Sequence, residues 1–72
     1  MRRKRIGQII REAREKAGLS QEKLARKVGI SQGALSFIER GVVEPRLSTL
    51  LRLLSELGVS TKVLNDEEVP HA

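Results

Sequence analysis

The stretch QEKLARKVGISQGALSFIERG, from Gln21 to Gly41, constrains the fold of this chain more than any other. Its apolar side chains recur at helical spacing on both sides of Gly29, at Leu24, Ala25, Val28, Ile30, Leu35 and Ile38. Gly29 can adopt the left-handed conformation that ends a helix, and Ser31 can cap the next helix by accepting a backbone N–H bond. The stretch therefore predicts two short helices that are joined by a tight turn and share one small core.

The second of these helices has two different faces. It is predicted from Gln32 to about Arg40, and its inner face holds Ala34, Leu35 and Ile38. The opposite stripe holds Gly33, Ser36, Phe37 and Arg40. Two helices with this spacing form a helix-turn-helix motif, whose second helix enters the major groove of DNA. The outer stripe is therefore the candidate DNA-reading surface.

The flanking segments predict further helices. A first helix is marked by Ile6, Ile9, Ile10, Ala13 and Ala17, and it is expected to run to about Lys16. A fourth helix, which ends at Gly58, is marked by Leu47, Leu50, Leu51, Leu54 and Leu57. Leu53 falls outside that stripe, so we expect either the core or a second subunit to cover it. The fold class is all-α, a compact domain of four or five helices. The helix-turn-helix DNA-binding domain is expected at residues 6–58, followed by a dimerisation strand or a fifth helix at residues 59–65.

The segment from Val59 to Asn65 has two interpretations. Ser60 could cap a fifth helix, but the β-branched residues Val59, Thr61 and Val63 alternate and favour a strand. A lone strand is not stable, so the strand interpretation requires pairing with the same strand of a twofold-related subunit.

The two ends of the chain differ in charge. Seven of the fourteen Lys and Arg residues fall within the first sixteen positions, whereas three of the nine acids are Asp66, Glu67 and Glu68. We expect residues 1–5 to form a basic arm and residues 66–72 to form an acidic, disordered tail. The net charge of +5 and its asymmetry favour a polyanion as the partner of the N-terminal part.

Composition argues against several other functions. The 72 residues contain no Cys and no Tyr, and the one His lies in the tail, at position 71. The sequence therefore indicates no disulfide, metal site or cofactor, and it offers no carboxylate pair or glycine-rich phosphate loop for catalysis. No apolar run approaches the length of a membrane span. We expect a soluble, cytoplasmic, non-enzymatic protein.

The chain resembles the phage repressor and Cro proteins, also called the xenobiotic-response-element family of helix-turn-helix proteins. The resemblance rests on the runs AGLSQEKLARKVGISQGALSFIERG and PRLSTLLRLLSELGVS, and it covers residues 6–60. It implies a transcriptional repressor that binds double-stranded DNA as a homodimer on a palindromic operator. Two copies of the second motif helix would then enter successive major grooves about 34 Å apart.

The resemblance also implies roles for individual residues. Phosphate contacts would come from Gln21, Ser31, Arg40 and Arg46. Base-facing positions would be Gln32, Gly33, Ser36 and Phe37. Arg14 and Glu39 would form a partly buried ion pair, and we expect the loss of either partner to cost about 3 kcal/mol of stability.

Two of the base-facing positions depart from the family pattern. Phe37 stands where the family usually has a polar or basic residue, and Gly33 offers no side chain. Our interpretation is that Phe37 packs against a thymine methyl group. The alternative is that Phe37 folds back against the preceding helix or contacts a protein partner.

Within the family, the leucine-rich helix and the strand-like tail most resemble antitoxins of the HipB type. Those proteins dimerise partly through a C-terminal strand, repress their own operon and bind a toxin kinase. An antitoxin with a toxin protein as its partner is therefore the alternative to a simple repressor. The dimer interface is predicted at Leu53, Leu57, Val59, Thr61 and Val63.

Overall fold

A computed structural model describes the backbone of residues 3–64 and the side chains of residues 5–64. Its four α-helices are α1 (Arg3–Lys16), α2 (Gln21–Val28), α3 (Gln32–Glu39) and α4 (Leu47–Leu57). A final helical turn covers residues 62–64, and no strand occurs between residues 3 and 64. The described helices include none that is long and apolar enough to cross a membrane. The all-α fold class is confirmed.

Local capping signals define both ends of the motif helices. The Ser20 hydroxyl oxygen accepts a bond from the Lys23 N–H at 3.1 Å, and the Ser31 hydroxyl oxygen accepts one from the Ala34 N–H at 3.0 Å. Gly29 ends α2 with a φ of 78°, in the left-handed region that favours glycine. The predicted boundaries of α2 and its connection to α3 are therefore confirmed.

The core lies between α3 and the helices that surround it. It consists of Ile6, Ile10, Leu24, Ala25, Val28, Leu35, Ile38, Leu50, Leu53 and Leu54. Helix α3 packs against both α1 and α2, and α4 packs against the same two helices. Where α1 crosses α3, a Cβ atom on Gly7 would collide with the Ile38 carbonyl oxygen and lie 2.7 Å from the Glu39 carbonyl oxygen. Glycine at this position lets the two backbones touch.

The ends of the described chain correct two predictions. Helix α1 begins at Arg3, so residues 3–5 are not an arm; none of them breaks a helix, and their good helix propensity extends α1 outwards. The strand interpretation of residues 59–64 is also wrong. The Lys62 N–H donates to the Ser60 hydroxyl oxygen at 3.1 Å, and the Leu64 N–H donates to the Thr61 carbonyl oxygen at 3.0 Å.

The physical reason for the helical turn is the packing of its apolar residues. Val59, Val63 and Leu64 pack against the core, and a turn brings them to the same side. An alternating strand would have placed successive residues on opposite sides. Asn65, the predicted acidic tail at residues 66–72 and the first two residues of the predicted arm lie outside the described residues.

The orientation of α4 corrects a third prediction. Leu53 is fully buried, whereas Leu47 is 62% exposed and Leu51 is 40% exposed. Both the stripe that contains Leu47 and the stripe that contains Leu53 have helical spacing, so periodicity alone could not choose between them. Because Leu53 contributes to the core of its own chain, its assignment to a dimer interface is wrong.

Candidate nucleic-acid interface

The outer face of α3 is open to solvent at most of the predicted base-facing positions. Gln32, Gly33, Phe37 and Arg40 are exposed, and Ser36 is half-buried. Phe37 is 45% exposed, so nearly half of its surface is open to solvent. The guanidinium carbon of Arg40 lies 5.1 Å from the centroid of the Phe37 ring. This cation–π contact stabilises an exposed Arg by about 0.5–1 kcal/mol, so Phe37 helps to hold Arg40 in place.

Ser31 can cap α3 and contact a phosphate at the same time. Its oxygen accepts the Ala34 N–H bond, and its side chain is exposed. The hydroxyl hydrogen is not used by the cap, since a hydroxyl group is one donor as well as an acceptor. The structure therefore leaves one donor at the N-terminus of α3 for an anion.

Gln21 makes contacts that the sequence did not reveal. Its Nε2 donates to Glu39 Oε1 at 3.1 Å, and its Oε1 accepts a bond from Gln32 Nε2 at 3.5 Å. Gln21, which is predicted to contact a phosphate, is thus hydrogen-bonded to Gln32, which is predicted to contact a base, and to the buried Glu39. No sequence signal could have indicated this, because Gln21 and Glu39 lie 18 positions apart on different helices.

The predicted ion pair between α1 and α3 is confirmed. Arg14 Nε lies 2.7 Å from Glu39 Oε2, and Arg14 Nη2 donates to Glu39 Oε1 at 3.1 Å. The side chains are 12% and 2% exposed, respectively. The hydrogen bond to Glu39 raises the pKa of Arg14 above its ordinary value, although burial lowers it. Arg14 also donates to the Leu19 carbonyl oxygen at 2.8 Å, so one guanidinium joins α1, the following loop and α3.

Gly33 differs from the other glycines of the described chain, because the fold gives no reason for it. A Cβ atom there would have only the Ser31 hydroxyl oxygen near it, at 4.0 Å. Its φ is not positive, unlike that of the glycines that end helices. A glycine inside a helix destabilises it by about 0.5–1 kcal/mol relative to alanine. Nothing within the described residues offsets this loss.

Arg46 is exposed and occupies the N-cap position of α4, but its side chain makes no capping hydrogen bond. Its side chain is therefore not used to cap α4.

The remaining residues predicted at a dimer interface lie near the end of the described chain. Leu57, Val59 and Val63 are half-buried against the core, and Thr61 is exposed. An open groove of about 510 Å³ includes Leu57 and Val59 in its lining; its other lining residues are Ile9, Glu12, Ala13, Lys16 and Ala17.

The chemistry of the outer face is that of binding. It presents amide groups, hydroxyl groups and an arginine, which are the donors that recognise phosphates and base edges. No cluster of His, Cys, Asp or Glu within residues 3–64 could hold a metal ion.

Comparison with known proteins places this geometry in a family. The helix-turn-helix family profile matches residues 10–64. The HTH-type transcriptional regulator ImmR of Bacillus subtilis is 41% identical over 59 residues, which are 82% of this chain and 46% of that protein. The immunity repressor protein of Bacillus phage phi105 is 36% identical over 63 residues, which are 88% of this chain and 44% of that protein.

A solved structure agrees with the fold. The restriction-modification controller protein C.AhdI from Aeromonas hydrophila has a TM-score of 0.78 and 34% sequence identity, and the match covers 86% of this chain and 94% of that one. The chain spans less than half the length of ImmR and of the phage repressor. The profile match, these regulators and the shared fold lead to one conclusion: the chain belongs to the helix-turn-helix family, whose matching members are transcriptional regulators.

Proposed function

We propose that this chain is a sequence-specific, double-stranded-DNA-binding transcriptional repressor that acts as a homodimer on a palindromic operator. The observation that carries the proposal is Gly33, an exposed glycine inside α3 that neither packing nor backbone conformation requires. A missing side chain allows another molecule to approach the helix backbone closely. Phe37, Arg40 and Gln32 surround it with groups suited to DNA.

The proposed roles divide between bases and phosphates. Gln32, Gly33, Ser36 and Phe37 face the bases, with Phe37 against a thymine methyl group and Gln32 at an adenine edge. Gln21, Ser31, Arg40 and Arg46 contact phosphates, which position the protein but carry no sequence information. The Gln21 amide keeps one N–H free for this contact, because an amide has two hydrogens and Glu39 accepts one.

Dimerisation is proposed through the C-terminal side of the domain. Leu57 and Val59 line the open groove between α1 and the end of α4, and Thr61 and Val63 follow them in the chain. Thr61→Lys is expected to convert the dimer to a monomer in sedimentation experiments, because Thr61 is exposed on its own chain and a dimer would bury the unpaired charge. Leu51→Lys, at an exposed apolar residue of α4, is the matched control. Dissociation by Leu51→Lys alone would place the interface on the other side of α4.

The antitoxin alternative has no comparable support. It depended on a strand-like tail, and residues 59–64 form no strand but end in a helical turn at residues 62–64.

The deciding experiment is selection from a random duplex pool, followed by sequencing of the retained DNA. A twofold-symmetric site with half-sites about one helical turn apart is expected. Arg40→Ala should weaken binding to all sequences. It should also reduce the slope of log affinity against log salt concentration by about one unit, because one phosphate contact is lost. Arg26→Ala is the control, because this exposed arginine lies about 140° around α2 from Gln21. Retention that depends on salt but not on sequence would contradict the proposal.

A further inference from the structure

We propose that Phe37 recognises the C5-methyl group of a pyrimidine rather than the base that carries it, so that 5-methylcytosine serves in place of thymine at this position of the DNA. The inference rests on the proposed function, because it names the chemical group that one position of the same DNA-reading face recognises. It adds a form of regulation: methylation of an operator cytosine at C5 would strengthen binding by this chain.

Gly33 and Phe37 leave one side of α3 without a hydrogen-bonding side chain over a full helical turn. The two residues are four positions apart, so they are neighbours on the same side of the helix. A Cβ atom on Gly33 would have only the Ser31 hydroxyl oxygen near it, at 4.0 Å, so a methyl group of DNA can enter there without displacing protein atoms. This part of the face can therefore recognise only shape and apolar groups.

The polar residues beside this pair do not distinguish thymine from cytosine. Ser36 is half-buried, and its hydroxyl group can donate as well as accept, so it can bond either thymine O4 or the N4 amino group of cytosine. Arg40 is assigned to a phosphate, and its guanidinium carbon lies 5.1 Å from the ring centroid. Phe37 therefore determines the preference at this position.

The Phe37 ring is already placed for an apolar contact. Arg40 lies over one face of the ring, and 45% of the Phe37 surface is exposed. Because the cation–π contact holds the ring, Phe37 loses less freedom on binding than a side chain in open solvent would lose. The uncovered part of the ring is an apolar surface within a polar face.

The edges of the base pairs offer one apolar group to such a surface. In the major groove, thymine alone of the four bases carries a methyl group, at C5. Methylation of cytosine adds the same group at the same ring atom, whereas uracil is thymine without it. Burial of one methyl group raises affinity by about fourfold. The ring should therefore distinguish thymine from uracil and 5-methylcytosine from cytosine by the same factor.

The experiment compares two pairs of DNA duplexes, and the members of each pair differ by this methyl group alone. In one half-site of the operator selected from unmodified DNA, each thymine is replaced in turn by deoxyuridine. The position that faces Phe37 is the one at which Phe37→Ala abolishes the resulting loss of affinity. At that position, thymine and deoxyuridine are compared opposite adenine, and 5-methylcytosine and cytosine opposite guanine, by fluorescence anisotropy. The methylated member of each pair should bind about fourfold more tightly.

Two variants show whether Phe37 causes both ratios. Phe37→Ala should bring each ratio to about one, because the ring that the methyl group contacts is gone. Leu47→Ala is the matched control, since it also shortens an exposed apolar side chain but lies on α4, and it should leave both ratios at about four. Each ratio compares two duplexes on the same protein, so a change in stability cancels.

The results that overturn the inference differ from those that overturn the proposed function. A thymine-to-deoxyuridine ratio of about four with a 5-methylcytosine-to-cytosine ratio of about one would overturn the inference alone, because Phe37 would then recognise thymine itself. The inference also fails if Phe37→Ala abolishes no loss caused by deoxyuridine, since the methyl contact would then belong to another residue or not exist. Selection that recovers no preferred site would overturn the proposed function as well.

Discussion

The two sides of α3 differ in what surrounds them, and a comparison of two helical glycines, one on each side, makes this visible. Gly7 of α1 faces the inner side, where a Cβ atom would collide with the α3 backbone. Gly33 of α3 faces outwards, where a Cβ atom would meet almost nothing. The first glycine is required by the protein itself. The second has no such cause within the described residues, and we propose that it leaves room for a bound DNA.

Charge follows the same division. Arg14 points inwards and is held by Glu39, whereas Arg40 points outwards and rests on the Phe37 ring. Substitutions on the inner side should therefore change the free energy of unfolding, and substitutions on the outer side should change the affinity for DNA. Each prediction below tests whether the two faces can be separated in this way.

The largest effect is expected for Arg14→Met, which leaves the buried Glu39 carboxylate without its partner. We expect the free energy of unfolding to fall by about 3 kcal/mol in urea denaturation. Arg11→Met is the matched control, because Arg11 pairs with Glu15 on the surface at 60% and 55% exposure. That variant should lose no more than about 0.5 kcal/mol. Equal losses in both variants would show that burial of the pair is unimportant.

The pH dependence of this difference has a definite sign. The raised pKa of Arg14 means that its contribution is complete at neutral pH and is lost only when the pH rises through the folded-state pKa, in the strongly alkaline range. The stability difference between Arg14→Met and wild type should therefore show no decrease due to Arg14 deprotonation between pH 7 and 10. A decline that follows Arg14 titration in this interval would contradict the ion pair.

Gly7→Ala should destabilise the fold by about 2 kcal/mol, because α1 must move away from α3 to make room for the new methyl group. The collision is with backbone atoms of Ile38 and Glu39, which cannot rotate aside as a side chain could. Thermal unfolding followed by circular dichroism would measure the loss. A variant as stable as wild type would mean that the two helices do not touch as described.

The sequence predicted the inner side of the motif well because its signals are local. Ser31 and Gly29 each define a helix end through their own backbone neighbours, and both predictions were correct. The Arg14–Glu39 pair followed from the family resemblance and was also correct. In each case the residue type has one dominant structural role: serine caps a helix start, glycine ends a helix, and a buried arginine pairs with a carboxylate.

Other features could not be predicted because two arrangements share one pattern. The leucines of α4 fit two helical stripes, and packing placed Leu53 inside and Leu47 outside. Val59, Thr61 and Val63 have β-branched side chains, yet contact with the core outweighed their strand propensity. The bond from Gln21 to Glu39 depends on how α2 and α3 cross, which no local signal encodes.

Phe37→Ala tests the outer face at its apolar residue. We expect DNA affinity to fall about tenfold, or ~1.4 kcal/mol, because the contact with a thymine methyl and the support of Arg40 are both lost. Stability should fall by no more than about 1 kcal/mol, since Phe37 is 45% exposed and lies outside the buried core. Leu47→Ala removes an exposed apolar side chain from α4 and should leave affinity unchanged. If Phe37→Ala binds the selected operator as tightly as wild type, Phe37 does not contact a thymine methyl group.

Gly33→Ala gives the smallest effect and the sharpest separation, because stability and affinity should move in opposite directions. Alanine favours a helix over glycine, and the new methyl group enters open space, so unfolding should require about 0.5–1 kcal/mol more. The same methyl group would stand between α3 and the bases, so affinity should fall about fivefold, or ~1 kcal/mol. Gly7→Ala, the identical substitution on the inner side, serves as its control. A Gly33→Ala variant that gains stability and binds DNA as well as wild type would show that DNA does not approach the helix closely at this position. The two glycines would then differ only in whether the fold tolerates a side chain there.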